Sequence, residues 1–151
     1  MSKDYYKKLG ENKKARFNYH IEDSLECGME LKGSEVKSLK SGKFSFGDAY
    51  VRITNNQLWL IGLHITPYSF GTIENHEPTR KRKLLAHSRE INQLRRKTEE
   101  RGYTLVPLSI YIKNGLIKIQ IGLAKGKKRH DKRAVIKDRD IKRDLARELK
   151  K

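Results

Sequence analysis

The chain has 151 residues, with 35 Lys and Arg against 18 Asp and Glu, a formal net charge of +17 and a sequence pI near 10.0. That length holds one domain with a real core and is too short for two. No apolar run approaches the ~20 residues needed to span a bilayer, "MSKDYYKKLGENKKARF" lacks the apolar stretch of a signal peptide, and the lone Cys27 excludes an internal disulfide framework.

These features predict a cytoplasmic protein that binds a polyanion. Nucleic acid is the leading partner, through phosphate neutralisation and counterion release. An anionic membrane surface is the competing one, weakened because the basic tail carries few apolar residues, all aliphatic. His20, His64, His76, His87 and His130 with Cys27 show no pair spaced as in a structural zinc site, so neither a metal nor a cofactor is expected.

Along the chain, "RFNYHIED" alternates Phe17, Tyr19 and Ile21 with polar residues, the pattern of a half-buried strand, and "ECGMEL" reads as a second. "GSEVKSLKSG" predicts a short helix capped by Ser34, with Glu35 in its first turn, Val36 and Leu39 on one face and Gly42 at its stop. "DAYVRIT" and "QLWLIGLHI", joined by Asn55 and Asn56, predict a hairpin with Ala49, Val51 and Ile53 on one face. "TPYSFGTIENHEPTRKRK", broken by Pro67, Gly71 and Pro78, predicts a long loop, and such loops are often functional.

"LLAHSREINQLRRKTEERG" predicts a helix capped at Ser88 and ended by Gly102. Ile91 and Leu94 with Leu84 or Leu85 line one side, and Arg89, Arg95, Arg96 and Lys97 the other. "YTLVPLSIYIKNGLIKIQIGLA" predicts a hairpin turning at Asn114 and Gly115. Val106, Leu108, Ile110 and Ile112 face inward with Ile117, Ile119, Ile121 and Leu123, while Tyr111, Lys118 and Gln120 face outward. The expected fold is mainly β, a small closed OB-like barrel of about six antiparallel strands with two or three inserted helices over residues 1–124.

Residues 125–151 form a tail with 13 Lys and Arg against 5 Asp and Glu. "KGKKRHDKR" has no apolar residue and is expected to be disordered in isolation. Ile141, Leu145 and Leu149 at four-residue spacing predict a weak amphipathic helix that forms on a partner.

Catalytic residues are not expected. Ser38, Ser41, Ser45 and Ser109 lie in no nucleophile elbow, there is no Walker loop, and "AKGKK" resembles a phosphate-binding run only in composition. Glu35 with Lys37 can be drawn as an acid and base, but a solvated or core-flanking role outweighs that reading. Three basic clusters point to phosphate instead: Lys13, Lys14 and Arg16; Arg80, Lys81, Arg82 and Lys83; and the tail. Phe17, Tyr19 and Tyr68 lie close by, and stacking on unpaired bases and core packing both remain open for them.

"NKKARFNY", "GSEVKSLKSGK", "ITPYSFG", "EPTRKRKLLAH" and "GYTLVPLSIYIKNGLIKIQIGLAKGKKRHDKR" occur in the order and spacing of the small protein B, or SsrA-binding, family, and the chain resembles that family from Asn12 into the tail. The resemblance implies a non-enzymatic OB-like barrel that binds the tRNA-like domain of transfer-messenger RNA in place of a missing anticodon arm. With elongation factor Tu it implies delivery to the vacant A site of a stalled ribosome for trans-translation. The tail is then implied to lie against small-subunit rRNA in the decoding centre and the empty mRNA channel. Glu26, Leu85 and Lys118 match positions at which the family contacts its RNA, and Gly126, Lys127, Lys128, His130, Asp131, Lys132 and Arg133 match the decoding-centre segment. Ala86, Phe17 and Ile141 depart from residues common in the family. A generic ribosome-associated RNA-binding or RNA-chaperone module, and an RNA-processing enzyme using Glu35, are the alternatives.

Overall fold

The computed structural model describes residues 5–68, 75–100 and 102–127, together with Arg133, Ile136, Arg139 and Arg143. Among the described residues nine strands occur, in the order β1 (Tyr6–Glu11), β2 (Tyr19–Met29), β3 (Phe44–Ser45), β4 (Tyr50–Thr54), β5 (Gln57–Ile61), β6 (His64–Ile65), β7 (Arg82–Leu85), β8 (Tyr103–Lys113) and β9 (Leu116–Gly126). Three helices are inserted between these strands, α1 (Lys13–Asn18), α2 (Gly33–Lys40) and α3 (Ser88–Thr98).

Antiparallel pairing follows the order β1-β8-β4-β5-β7-β2-β9, and β9 pairs again with β8. Six strands therefore close into a ring, with β1 added along β8 and the short β3–β6 pair set apart. Closure leaves few unpaired strand edges, the reason a small β-rich chain adopts it. The long β8–β9 hairpin turns at Asn114 (φ 50°) and Gly115 (φ 82°), and the β4–β5 hairpin at Asn55 (φ 52°) and Asn56 (φ 57°). Asn and Gly tolerate these positive angles, which match the twist of the flanking strands.

Leu58, Leu60, Ile110, Ile119 and Ile121 are fully buried inside the ring, joined by Leu39 of α2 and by Ile91 and Leu94 of α3. Each such side chain contributes about 1.5–3 kcal/mol by leaving water. The sheet's inner face is thus capped by helices, as the apolar stripes of "GSEVKSLK" and "SREINQL" require.

Several expectations change. Phe17 and Asn18 end α1 rather than open a strand, because the Asn12 side chain accepts the Ala15 N–H (3.2 Å) and donates to Pro107 O (2.9 Å), fixing a helical turn ahead of β2. The two short strands expected around Ile21 and Cys27 are one strand, β2, with a register shift between Ile21 and Asp23. β5 and β6 are separated at Gly62 (φ 89°), where a Cβ would stand 3.3 Å from Ala49 Cα. Leu84 and Leu85 belong to β7, not to α3.

Ser34 and Ser88 are first-turn residues rather than caps. The turns are closed instead by Glu35, which accepts the Lys32 N–H (2.8 Å), and by Glu90, which accepts that of His87 (3.2 Å). In β8 a register shift between Pro107 and Ser109 reverses the side-chain parity. Leu105 joins the main core, while Val106 and Leu108 turn to the other face and form a second core with Ala124 under Ala15 of α1. β9 continues two residues past Ala124, and the Lys127 N–H bonds to Asn18 O (2.9 Å).

Arg133, Ile136, Arg139 and Arg143 have helical backbone and are exposed, with the Arg139 guanidinium 5.4 Å from the centre of the Phe17 ring. Gly71, Lys128, His130, Asp131, Lys132, Ile141, Leu145 and Leu149 lie outside the described residues.

Candidate nucleic-acid interface

Side chains alternate across a strand, so residues in register on neighbouring strands share a face. Leu85 of β7 pairs with Gly28 of β2, Gly28 with Lys118 of β9, Lys118 with Tyr111 of β8, and Tyr111 with Lys8 of β1. Two residues back along β2, Glu26 pairs with Gln120. The closed ring thereby collects Glu26, Leu85 and Lys118, which are scattered over 92 positions of chain, onto one outward patch. The same groove is lined by Leu25, Gly28, Ala86, His87 and Glu90.

Leu85 is 46% exposed, an unusual state for a leucine in the middle of a sheet. Gly28 permits it, since a Cβ there would sit 3.3 Å from Leu85 Cβ. Glu26 is held in place: the Tyr111 hydroxyl donates to its Oε2 (2.5 Å) and Lys113 Nζ lies 3.5 Å from its Oε1. The Tyr111 hydrogen bond, with the charges of Lys113 and Lys118, keeps the Glu26 carboxyl below the ordinary range despite partial burial. Burial and the Glu26 bond push the Tyr111 hydroxyl well up, so it stays a donor. The Tyr6 ring lies 5.0 Å from that of Tyr111 and covers it. Tyr111 and Lys113 were not singled out from the sequence as site residues, although the outward parity of Tyr111 was the available signal.

The Arg80 to Lys83 cluster divides by the same alternation. Lys81 is exposed and Lys83 is half-buried on the outer face, but Arg82 points inward beside Leu84 and is fully buried. Its Nε donates to Glu35 (2.5 Å), Nη1 to Leu63 O (2.7 Å) and Arg80 O (3.1 Å), and Nη2 to Pro78 O (2.9 Å). With its guanidinium spent internally, Arg82 leaves the candidate RNA set. Arg80 is partly exposed and also donates to Glu35, through Nε (3.1 and 3.2 Å) and Nη2. Burial raises the Glu35 pKa, but the bonds from Arg80, the Lys32 N–H and Arg82 outweigh it and hold the carboxyl below the ordinary range. Both carboxylate oxygens are occupied and the side chain is inaccessible, so Glu35 cannot serve as a catalytic acid or base toward RNA.

The α1 cluster lies elsewhere. Tyr19 is seven residues before Glu26 on β2, on the order of 20 Å away. Lys13 is exposed, Lys14 pairs with Asp48 (2.5 Å) and Arg16 with Glu11 (2.9 Å). Tyr19 itself is half-buried against the second core and pairs in register with Gly126, so this cluster adjoins the root of the tail. The loop after β6 is tied down at both ends. Asn75 bonds both backbone groups of Tyr68 (2.8 and 3.2 Å), and the buried His76 donates from Nε2 to Ile65 O (2.7 Å) while its Nδ1 accepts from Ser34 Oγ (2.8 Å). Lys37 Nζ stands 5.2 Å over the Tyr68 ring.

Burial pushes the Cys27 thiol up to about 12, which makes it an inert core group. Among the described residues no cluster of His, Cys, Asp or Glu is arranged to hold a metal, and no helix is long and apolar enough to cross a membrane.

A closed antiparallel ring with an oriented carboxylate, an exposed aliphatic side chain and lysines in one outward row defines a class, the small basic β-ring proteins that present a recognition surface to a polyanion. The relationship is narrower than a class. The family model described as SmpB protein matches residues 9–151, and the chain belongs to that family. It is similar to the SsrA-binding protein of Treponema denticola, 53% identical over 150 residues and covering 99% of this chain and 97% of that one. It is similar also to the SsrA-binding protein of Aquifex aeolicus, 52% identical over 143 residues with 94% and 91% covered. A solved structure described as "tmRNA-SmpB: a journey to the center of the bacterial ribosome" contains a chain that is 44% identical, with a TM-score of 0.68 and coverage of 83% of this chain and 92% of that one.

Proposed function

We propose that this protein binds the tRNA-like domain of transfer-messenger RNA and delivers it to the A site of stalled ribosomes for trans-translation. The single observation that carries the reading is the register that brings Glu26, Leu85 and Lys118 onto one patch, in a chain whose relatives are SsrA-binding proteins. Lys118 meets phosphate, Leu85 packs on an unstacked base or a ribose, and the ionised Glu26 accepts a hydrogen bond from a 2′-hydroxyl or a base N–H. A carboxylate among cations repels phosphate at one point, so it sets register where lysines alone would slide.

Lys81 and Lys83 extend the contact along the outer face of β7, and Arg80, whose guanidinium is bonded to Glu35 and to the carbonyls of Glu30 and Lys81, borders it as a partly exposed positive charge. Lys13, Lys14, Arg16 and the edge of Tyr19 serve a second contact at the other pole, beside Gly126 and Lys127. The tail segment containing Lys128, His130, Asp131, Lys132 and Arg133 occupies the decoding centre, and the residues beyond it probe the empty mRNA channel. Elongation factor Tu is engaged through the RNA complex. The protein acts in the cytoplasm without a chemical step of its own.

Competition of labelled tRNA-like domain against excess bulk tRNA, at physiological salt, tests the reading. A preference of about a hundredfold or more is expected, since counterion release alone does not discriminate between RNAs of equal charge density. Equal competition would reduce the protein to a generic RNA-binding module.

A further inference from the structure

We propose a second recognition site on the body, a base-stacking platform at Trp59 on the outer face of β4, β5 and β7 that takes an unpaired base of the same transfer-messenger RNA. Trp59 lies on the opposite side of β5 from the buried Leu58 and Leu60 and is only half covered. In register it pairs with Arg52 on β4 and with Lys83 on β7, so a cation flanks the indole on each neighbouring strand. A shallow trough around it is lined by Arg52, Thr54, Gln57, Ile61 and Lys81, with no carboxylate among its lining residues.

That composition selects the occupant. A flat ring between cations suits a base that stacks while its 5′ and 3′ phosphates meet the basic side chains, and it suits any base because every base has a π face. The groove between β2 and α3, by contrast, balances Asp23 and Glu90 against Arg96 and Lys97 and has no aromatic ring among its lining residues. The platform is also continuous with the Glu26, Leu85 and Lys118 patch. Lys83 and Leu85 are two residues apart on β7 and share its outer face, so one RNA strand passes from Leu85 to Trp59 without leaving the sheet. The inference rests on transfer-messenger RNA being the ligand of that patch.

Trp59 is the single tryptophan of the chain, so its emission reports this one place. The full-length protein is titrated with the tRNA-like domain, with complex formation read by gel mobility and Trp59 emission read in the same samples. Emission is expected to be quenched in step with complex formation, and Trp59→Ala to weaken binding by about thirtyfold, the middle of the range for one stacked base. Trp59→Tyr, which keeps a ring, retains most of the affinity and serves as the folding control. Arg52→Gln combined with Lys81→Gln leaves the quench in place but lowers the slope of log K against log salt by about one to two.

Complex formation with unchanged emission and unaltered binding by Trp59→Ala overturns the platform while leaving the proposed function standing. Quenching that requires added ribosomes overturns the assignment to this RNA. Absence of any complex sinks the transfer-messenger RNA reading and the platform with it.

Discussion

Glu35 is the residue on which one side of the ring depends. It sits in the first turn of α2, where its carboxylate closes the helix start, and it is the counter-charge for Arg80 and the fully buried Arg82. Replacing one partner of a buried ion pair strands the other charge, so Glu35→Gln is expected to cost about 3–5 kcal/mol, read from urea unfolding at pH 7. The acid side follows from the direction of the shift. The carboxyls of Glu35 and Glu26 both lie below the ordinary 4.5 in the folded protein, so their contribution is complete above that value and is lost as pH falls through the folded pKa. The wild-type urea midpoint should therefore drop on acidification below about 4.5, and Glu35→Gln should show a smaller drop; an equal drop would assign the effect to other carboxylates. Glu35 was legible as a first-turn acid. Its partners were not, because they lie 45 and 47 residues further along the chain and meet it only when β7 closes the ring.

At the scale of elements, the shift in β8 determines how the sheet serves two cores. Strict alternation from Tyr103 to Lys113 would send Val106, Leu108, Ile110 and Ile112 to one side. The extra residue between Pro107 and Ser109 instead gives Val106 and Leu108 to the α1 side. Gly122 of β9 is the matching accommodation, since a Cβ there would approach Leu108 Cδ1 to 2.8 Å and Ile21 Cγ2 to 3.0 Å. Gly122→Ala is thus expected to destabilise by about 1–3 kcal/mol through overpacking. Leu108→Ala in the same chain makes room for the methyl, so the two losses should sum to more than the double variant shows in urea unfolding. Strictly additive losses would mean that the two side chains do not share this space. A register shift of this kind leaves little trace in sequence because both faces of the strand are buried, and "LVPLSIYI" reads as apolar either way.

For the whole molecule, charge and core are divided. Among the described residues the buried core ends at Ala124, while the chain beyond Lys127 carries 11 Lys and Arg against 5 Asp and Glu. Ending the chain after Lys127 keeps β9 and its bond to Asn18, so the thermal midpoint and the preference for the tRNA-like domain over bulk tRNA are expected to be retained, the loss of charge weakening binding to both RNAs alike. Tagging of stalled chains in a reconstituted translation system should be lost. Survival of tagging would show that the tail is not the part that engages the ribosome, and loss of the preference would show that it belongs to the first recognition event.

The sequence by itself determined the β-rich class, both Asn-containing hairpin turns, the cores of α2 and α3 and the basic character of the surface. Period, turn chemistry and composition are local properties, written within a few residues of where they act. Motif order was likewise enough to point to the family. Only the tertiary structure decided that Arg82 is an interior ion partner rather than a surface cation, that Tyr111 and Lys113 orient Glu26, and that Trp59 lies between Arg52 and Lys83. Those are relations across strands distant in sequence, and ring closure, with the register it imposes, is the step that creates them.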